Sequence, residues 1–125
     1  MPIQTGLVGE VSFTVTEDDT ALSFRSGEVP VLATPRLIAA CEEASCRATQ
    51  GLLEQGVTTV GRRIQFDHLA PTKVGAKVTV EAVLERVEGR RLTFTVSASD
   101  ATGLIGAGKV SRVLVEVEPF LSRSR

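Results

Sequence analysis

Thr34-Pro35-Arg36-Leu37-Ile38-Ala39-Ala40-Cys41-Glu42-Glu43-Ala44-Ser45-Cys46-Arg47-Ala48 is the one stretch of this chain that reads convincingly as a helix. Thr suits the N-cap and Pro the first helical position. Leu37, Cys41, Ala44 and Ala48 recur with the helical period, and Ile38 and Leu52 widen that face. Gly56 offers a stop, and Gly51 an earlier one. The small residues Ala39, Ala40, Ala44, Ser45 and Ala48 make the helix slim, so a sheet can approach it closely.

Working outward, everything else with a period alternates like a strand. Before the helix, Val8 to Val15 places Val11, Phe13 and Val15 between polar residues. Glu17-Asp18-Asp19-Thr20 then breaks the pattern, and Arg25-Ser26-Gly27-Glu28-Val29-Pro30 reads as a loop. After Gly56 come Thr58 to Leu69, Lys77 to Val87, the Leu92-Phe94-Val96 alternation, and Ile105 to Val117. Val87-Glu88-Gly89-Arg90-Arg91 and Asp100-Ala101-Thr102-Gly103 read as hairpin turns. The order is strand, helix, then four strands. One helix cannot cover both faces of a five-stranded antiparallel sheet. The expected solution is an α+β hotdog fold, a curved sheet wrapped around the helix, with residues 1–125 as a single domain. Edge strands of such a sheet are commonly covered by a second copy, so a homodimer, or a dimer of such dimers, is expected.

Composition supports one ordinary core. The chain has 125 residues, 42% hydrophobic but only 4% aromatic, with 5 Phe and no Trp or Tyr. Val, Leu, Ile and Ala must therefore fill it. A net charge of -1 offers no excess to neutralise a phosphate backbone, which argues against nucleic acid. Ser122-Arg123-Ser124-Arg125 reads as a frayed tail. Cys41 and Cys46 fall on different faces of the helix, too badly placed for a disulfide, and are expected to be reduced, small and buried. With His68 the only histidine, no metal site is expected, and no cofactor. Met1-Pro2-Ile3-Gln4-Thr5 has no basic run leading into an apolar one, and no window has the length of a membrane span. A soluble, cytoplasmic protein is the expectation.

Three polar residues invite chemistry. His68, in Ile64-Gln65-Phe66-Asp67-His68-Leu69-Ala70-Pro71, is the one side chain whose ordinary pKa suits proton transfer near neutrality, although a lone His is often only a surface or core residue. Glu42 lies inside the slim helix, where a carboxylate drawn inward is costly unless paired. Glu43 points about 100° away, and two solvated glutamates are an equal alternative. Thr34 has an evident task as N-cap. Its hydroxyl becomes a nucleophile only beside a base.

Ala33-Thr34-Pro35, Glu42 eight residues after Thr34, and Gly61, His68 and Gly75 at intervals of seven resemble the fluoroacetyl-CoA thioesterase family of hotdog proteins. Val87-Glu88-Gly89-Arg90-Arg91-Leu92 and Ile105-Gly106-Ala107-Gly108 with Arg112 extend the likeness to about Phe120. The resemblance implies hydrolysis of an acyl-CoA, with Thr34, Glu42 and His68 as the catalytic set and Gly61 and Arg112 as further site residues. His68 would deprotonate Thr34 or a water, Glu42 would orient His68, act as base or attack directly, and helix N-terminal amides would hold the oxyanion. The family's lid before the helix bears a Phe, whereas Gly27-Glu28-Val29-Pro30-Val31-Leu32 has no aromatic residue. A different, broader acyl range is therefore expected. Arg62, Arg63, Lys73, Arg90, Arg91 and Lys109 are candidate partners for CoA phosphates. A hotdog module that only binds an acyl-CoA or similar ligand is the alternative. A hydratase is disfavoured, because Asp67 adjoins His68 on a strand and so points to the other face.

Overall fold

Strict alternation of apolar residues builds the centre of the sheet. The structure is a computed structural model that describes residues 3–124. Strand β3 (Lys77–Glu88) turns Val78, Val80, Ala82 and Leu84 inward, and β4 (Arg91–Asp100) does the same with Leu92, Phe94, Val96 and Ala98. Each of these eight is at most 1% exposed, so the pair is the floor of the core. Gly89, with φ 63°, makes the turn between them. Strand β1 (Val8–Thr14) adds to β3, β5 (Gly103–Glu116) adds to β4, and β2 (Val57–His68) closes the row. The order β1-β3-β4-β5-β2 is antiparallel throughout. This is the expected five-stranded sheet around one long helix.

That helix, named α2 here because a short turn of helix precedes it, spans Thr34–Ala48 and buries Leu37, Ala40, Cys41, Ala44, Ser45 and Ala48 against the sheet. Slimness matters most where the helix crosses β1. The backbone carbonyl of Ala44 and amide of Ala48 occupy the place where a Cβ on Gly9 would stand. Helix and strand thus meet backbone to backbone, and only glycine permits it.

Several local expectations change. The N-cap is Ala33, whose carbonyl accepts the Leu37 amide at 3.0 Å, so Thr34 is the first helical residue and its hydroxyl is not spent on capping. The helix ends at Ala48, and Gly51 (φ 80°) lies in the turn beyond, so Leu52 is outside the helix and 37% exposed. Cys41 is buried, its thiol pushed up to about 12 by desolvation and then by the neighbouring Glu42, but Cys46 is exposed rather than buried. Both are free thiols.

Short elements appear where the sequence showed only a break or the end of a strand. Glu17–Asp19 forms one 3-10 turn, and Ala21–Phe24 forms helix α1. Val117–Ser122 forms helix α3, which takes up Val117 and the start of the expected tail. Met1, Pro2 and Arg125 lie outside the described residues. Asp19 organises the approach to α2. Its carboxylate accepts from the Thr16 amide at 2.7 Å and from Arg36 Nε at 2.9 Å, while its carbonyl accepts the Ala33 amide at 2.8 Å. Burial opposes its ionisation, yet the Thr16 and Arg36 hydrogen bonds win and hold the carboxyl below its usual range.

Because a side chain at residue 9 would collide with helix backbone, Gly9→Ala is expected to cost about 1–3 kcal/mol of stability in urea unfolding. An unchanged midpoint would contradict the close packing.

Candidate active site

The sheet and α2 bring the singled-out residues together in two pairs. The first pair sits where the start of α2 meets the end of β2. There the Thr34 Oγ1 and His68 Nδ1 atoms are 2.8 Å apart. His68 is the last residue of β2, and the chain turns away immediately, with the Leu69 and Ala70 amides both donating to the Ile105 carbonyl. Phe66 crosses β5 over Gly106, where a Cβ would strike the ring, so the end of the strand is held by close packing. The second ring nitrogen, Nε2, is buried without a hydrogen-bond partner among the described residues. Desolvation lowers the His68 pKa below its ordinary 6.5, with the Ala70 backbone acting in the opposite direction. The ring is therefore neutral, and able to accept a proton, at neutral pH.

The second pair lies farther along both elements. Glu42 Oε2 accepts from Arg112 Nη1 at 3.1 Å. Arg112 is 7% exposed and is fixed from the other side by Thr59, whose hydroxyl accepts from Nε at 2.9 Å and whose carbonyl accepts from Nη2 at 3.0 Å. A buried guanidinium is tolerable because these acceptors satisfy it. Gly61 is opposite Arg112 in the ladder, and a Cβ on it would run into the Glu42 carboxylate. Glu42 therefore faces inward over a bare strand, while Glu43 pairs with Arg47 at 3.1 Å in a mostly exposed contact. Thr59 is a site residue that the sequence did not reveal, since a Thr in a strand carries no signal of its own.

Within this chain Glu42 and His68 hold different partners. Eight residues of helix separate Thr34 from Glu42, a rise of about 12 Å, and the seven steps from Gly61 to His68 span about 23 Å of strand. Beside the Thr34–His68 pair is an open cavity of about 320 Å³, walled mainly by Ala21, Val29, Val31, Leu32, Ala70 and Pro71. Its walls are mostly apolar, with Ser26, Thr34 and His68 as the polar side chains, the kind of surface that accepts a short acyl chain. Among the described residues no cluster of His, Cys, Asp or Glu has the makings of a metal site, and no helix is long and apolar enough to cross a membrane.

Comparison with known proteins agrees on one group. Residues 15–118 match the model of the fluoroacetyl-CoA-specific thioesterase family. The fluoroacetyl-CoA thioesterase of Streptantibioticus cattleyicolor is 40% identical over 95 residues, which cover 76% of this chain and 68% of that one. A crystal structure of a fluoroacetyl-CoA thioesterase superposes with a TM-score of 0.91 at 32% identity, covering 97% of this chain and 94% of the other. A thioesterase superfamily member from Thermus thermophilus gives 0.90 at 30% identity, covering 98% and 90%.

Thr59→Val would leave Nε of the buried Arg112 without its acceptor. The expected loss is about 1–3 kcal/mol of stability, read by urea unfolding. Wild-type stability would show that this hydrogen bond holds nothing in place.

Proposed function

The chain belongs to the fluoroacetyl-CoA-specific thioesterase family, and we propose that it hydrolyses acyl-CoA thioesters to the free acid and CoA with Thr34, Glu42 and His68 as its catalytic set. The observation that carries this reading is the 2.8 Å contact between the Thr34 hydroxyl and Nδ1 of a histidine kept neutral by burial. With the proton on Nε2, Nδ1 accepts the Thr34 proton as the oxygen attacks the thioester carbonyl. The C–S bond then breaks, and the CoA sulfur leaves with the proton that His68 took. Water hydrolyses the Thr34 ester, with a carboxylate base to activate it. Ala33 supplies no side chain to cap α2, so amide groups of its first turn remain to face the developing oxyanion.

The separation of the two pairs points to the assembly. Strand β2 is twelve residues long and lies at the end of the sheet. At the other end, β1 is covered by α2 and Arg47 donates to the Glu10 carbonyl. The exposed edge of β2 is therefore the natural place for a second copy. An antiparallel β2–β2 pairing centred near Ile64 and Gln65 lays His68 across from Gly61 of the partner subunit. Glu42 of the partner subunit then approaches the Thr34–His68 pair and can act as the carboxylate base. Both observed pairs become halves of one site, and the homodimer carries two of them. The residues before α2 that wall the cavity include the aliphatic Val29, Val31 and Leu32 and no aromatic side chain, which suits a wider range of short acyl groups than fluoroacetyl alone. CoA esters are intracellular metabolites, which keeps the cytoplasm as the place of action.

Across a panel of acyl-CoAs, turnover of at least one is expected, with His68→Ala and Glu42→Ala each losing roughly a hundredfold or more in kcat/KM. Absence of turnover by folded dimer would leave a ligand-binding module instead. The pH profile follows from the lowered His68 pKa. The neutral ring is the competent form, so kcat/KM should fall on the acid side with its midpoint below pH 6.5. A limb with its midpoint above 6.5 would contradict a buried base.

A further inference from the structure

The convex face of the sheet, away from α2, carries a concentration of charge that the thioester chemistry does not use. A groove of about 220 Å³ there has nine lining residues, of which Arg62, Arg63, Arg86, Arg91 and Lys109 are cationic and only Glu88 is anionic. In a chain of net charge -1 this is a local excess. Two β-bulges build it. The ladder between β2 and β5 slips at Arg62, and the ladder between β3 and β4 slips at Glu85. A bulge adds a residue and so sets two successive side chains on one face, here Arg62 with Arg63 and Glu85 with Arg86. The result is a straight rung across four strands, Arg86 beside Thr93, Thr93 beside Ser111, and Ser111 beside Arg63. Of the six cations that the sequence offered for CoA phosphates, four meet here. Lys73 lies elsewhere, bridged to Val31, and Arg90 reaches the Leu114 carbonyl.

Two features mark this groove as more than a solvated face. Ser111 is 9% exposed, and its hydroxyl is buried with no hydrogen-bond partner among the described residues. A buried, unpaired hydroxyl costs free energy unless a ligand satisfies it. Lys109 is held by Glu85 at 2.8 Å and Arg86 lies 3.8 Å from Glu88, but Arg62, Arg63 and Arg91 form no ion pair among the described residues. The planar guanidinium forks of Arg63, beside Ser111, and of Arg91, two residues before Thr93 on β4, match the oxygens of a phosphoryl group.

We propose that this groove binds a phosphate-bearing small molecule, gripped by Arg63 and Arg91 with Thr93 and Ser111 beneath. The four strands of the rung span about 14 Å, room for more than one phosphoryl group, as in a nucleotide or a diphosphate. Gly61 faces α2 while Arg62 and Arg63 face outward, so the sheet stands between this groove and the thioester site. The phosphates belong either to the nucleotide end of a CoA substrate passing round β2 or to a separate phosphorylated molecule.

Calorimetric titration with adenosine 3′,5′-bisphosphate and with inorganic pyrophosphate at low salt tests this without any turnover. The intact protein should bind at least one probe. Arg63→Ala and Arg91→Ala, both at exposed positions, should each weaken it about tenfold, and Ser111→Ala severalfold. No binding of either probe, or equal binding by the Arg63→Ala and Arg91→Ala variants, would overturn the proposal. Steady-state kinetics then separate the sources. A rise in KM for acetyl-CoA but not acetyl-pantetheine in Arg63→Ala assigns the groove to the substrate's own nucleotide. Unchanged KM for both, with probe binding lost, assigns it to a separate phosphorylated molecule.

Discussion

The close approach between the α2 backbone and the sheet is the constraint from which the rest follows. Where the helix crosses β1, its Ala44 and Ala48 backbone stands in the volume that any side chain at residue 9 would fill. A bulkier helix or a larger residue 9 would push α2 outward. That displacement would carry Thr34 away from His68 and Glu42 away from Arg112. Both contacts join a residue of the helix to one on β2 or β5, and hydrogen bonds of 2.8 and 3.1 Å tolerate little drift. The Asp19 hub adds a second hold, fixing the entry to α2 through Arg36 and the Ala33 amide.

Electrostatics divides the two faces of the sheet. On the inner face Arg112 is buried and hydrogen-bonded to Glu42 and Thr59, and so fixes a carboxylate in place. On the outer face the arginines are exposed, and three have no acidic partner among the described residues. A single bulge at Arg62 separates these two regimes: Gly61 opens the inner surface above Glu42, and the next two residues arm the outer one.

Much of this was legible in the sequence, because periodicity reports burial. The alternation in β3 and β4 and the small residues of α2 give strand, helix and wrapping directly. The family resemblance, carried by Thr34, Glu42, Gly61, His68 and Arg112, named residues that do meet, Thr34 with His68 and Glu42 with Arg112 beside Gly61. What stayed hidden depends on three dimensions. A Thr beside a Pro reads as a cap, yet the cap is Ala33 and the Thr hydroxyl reaches a histidine 34 residues away. Thr59 looks like any strand residue until Arg112 comes to rest on it. The short helices around Asp19 rest on side-chain hydrogen bonds rather than on a hydrophobic period, and the exposure of Cys46 depends on which face of α2 the sheet covers.

Catalysis as proposed requires a site shared between two copies, with Thr34 and His68 from one and Glu42 from the other. Co-expressing His68→Ala and Glu42→Ala chains with different affinity tags, and purifying the mixed dimer through both, tests this directly. A shared site leaves one of the two centres with all three residues intact, so the mixed dimer should recover about half of the wild-type rate. A mixed dimer no more active than either parent variant would show that each chain builds its site alone and would contradict the account.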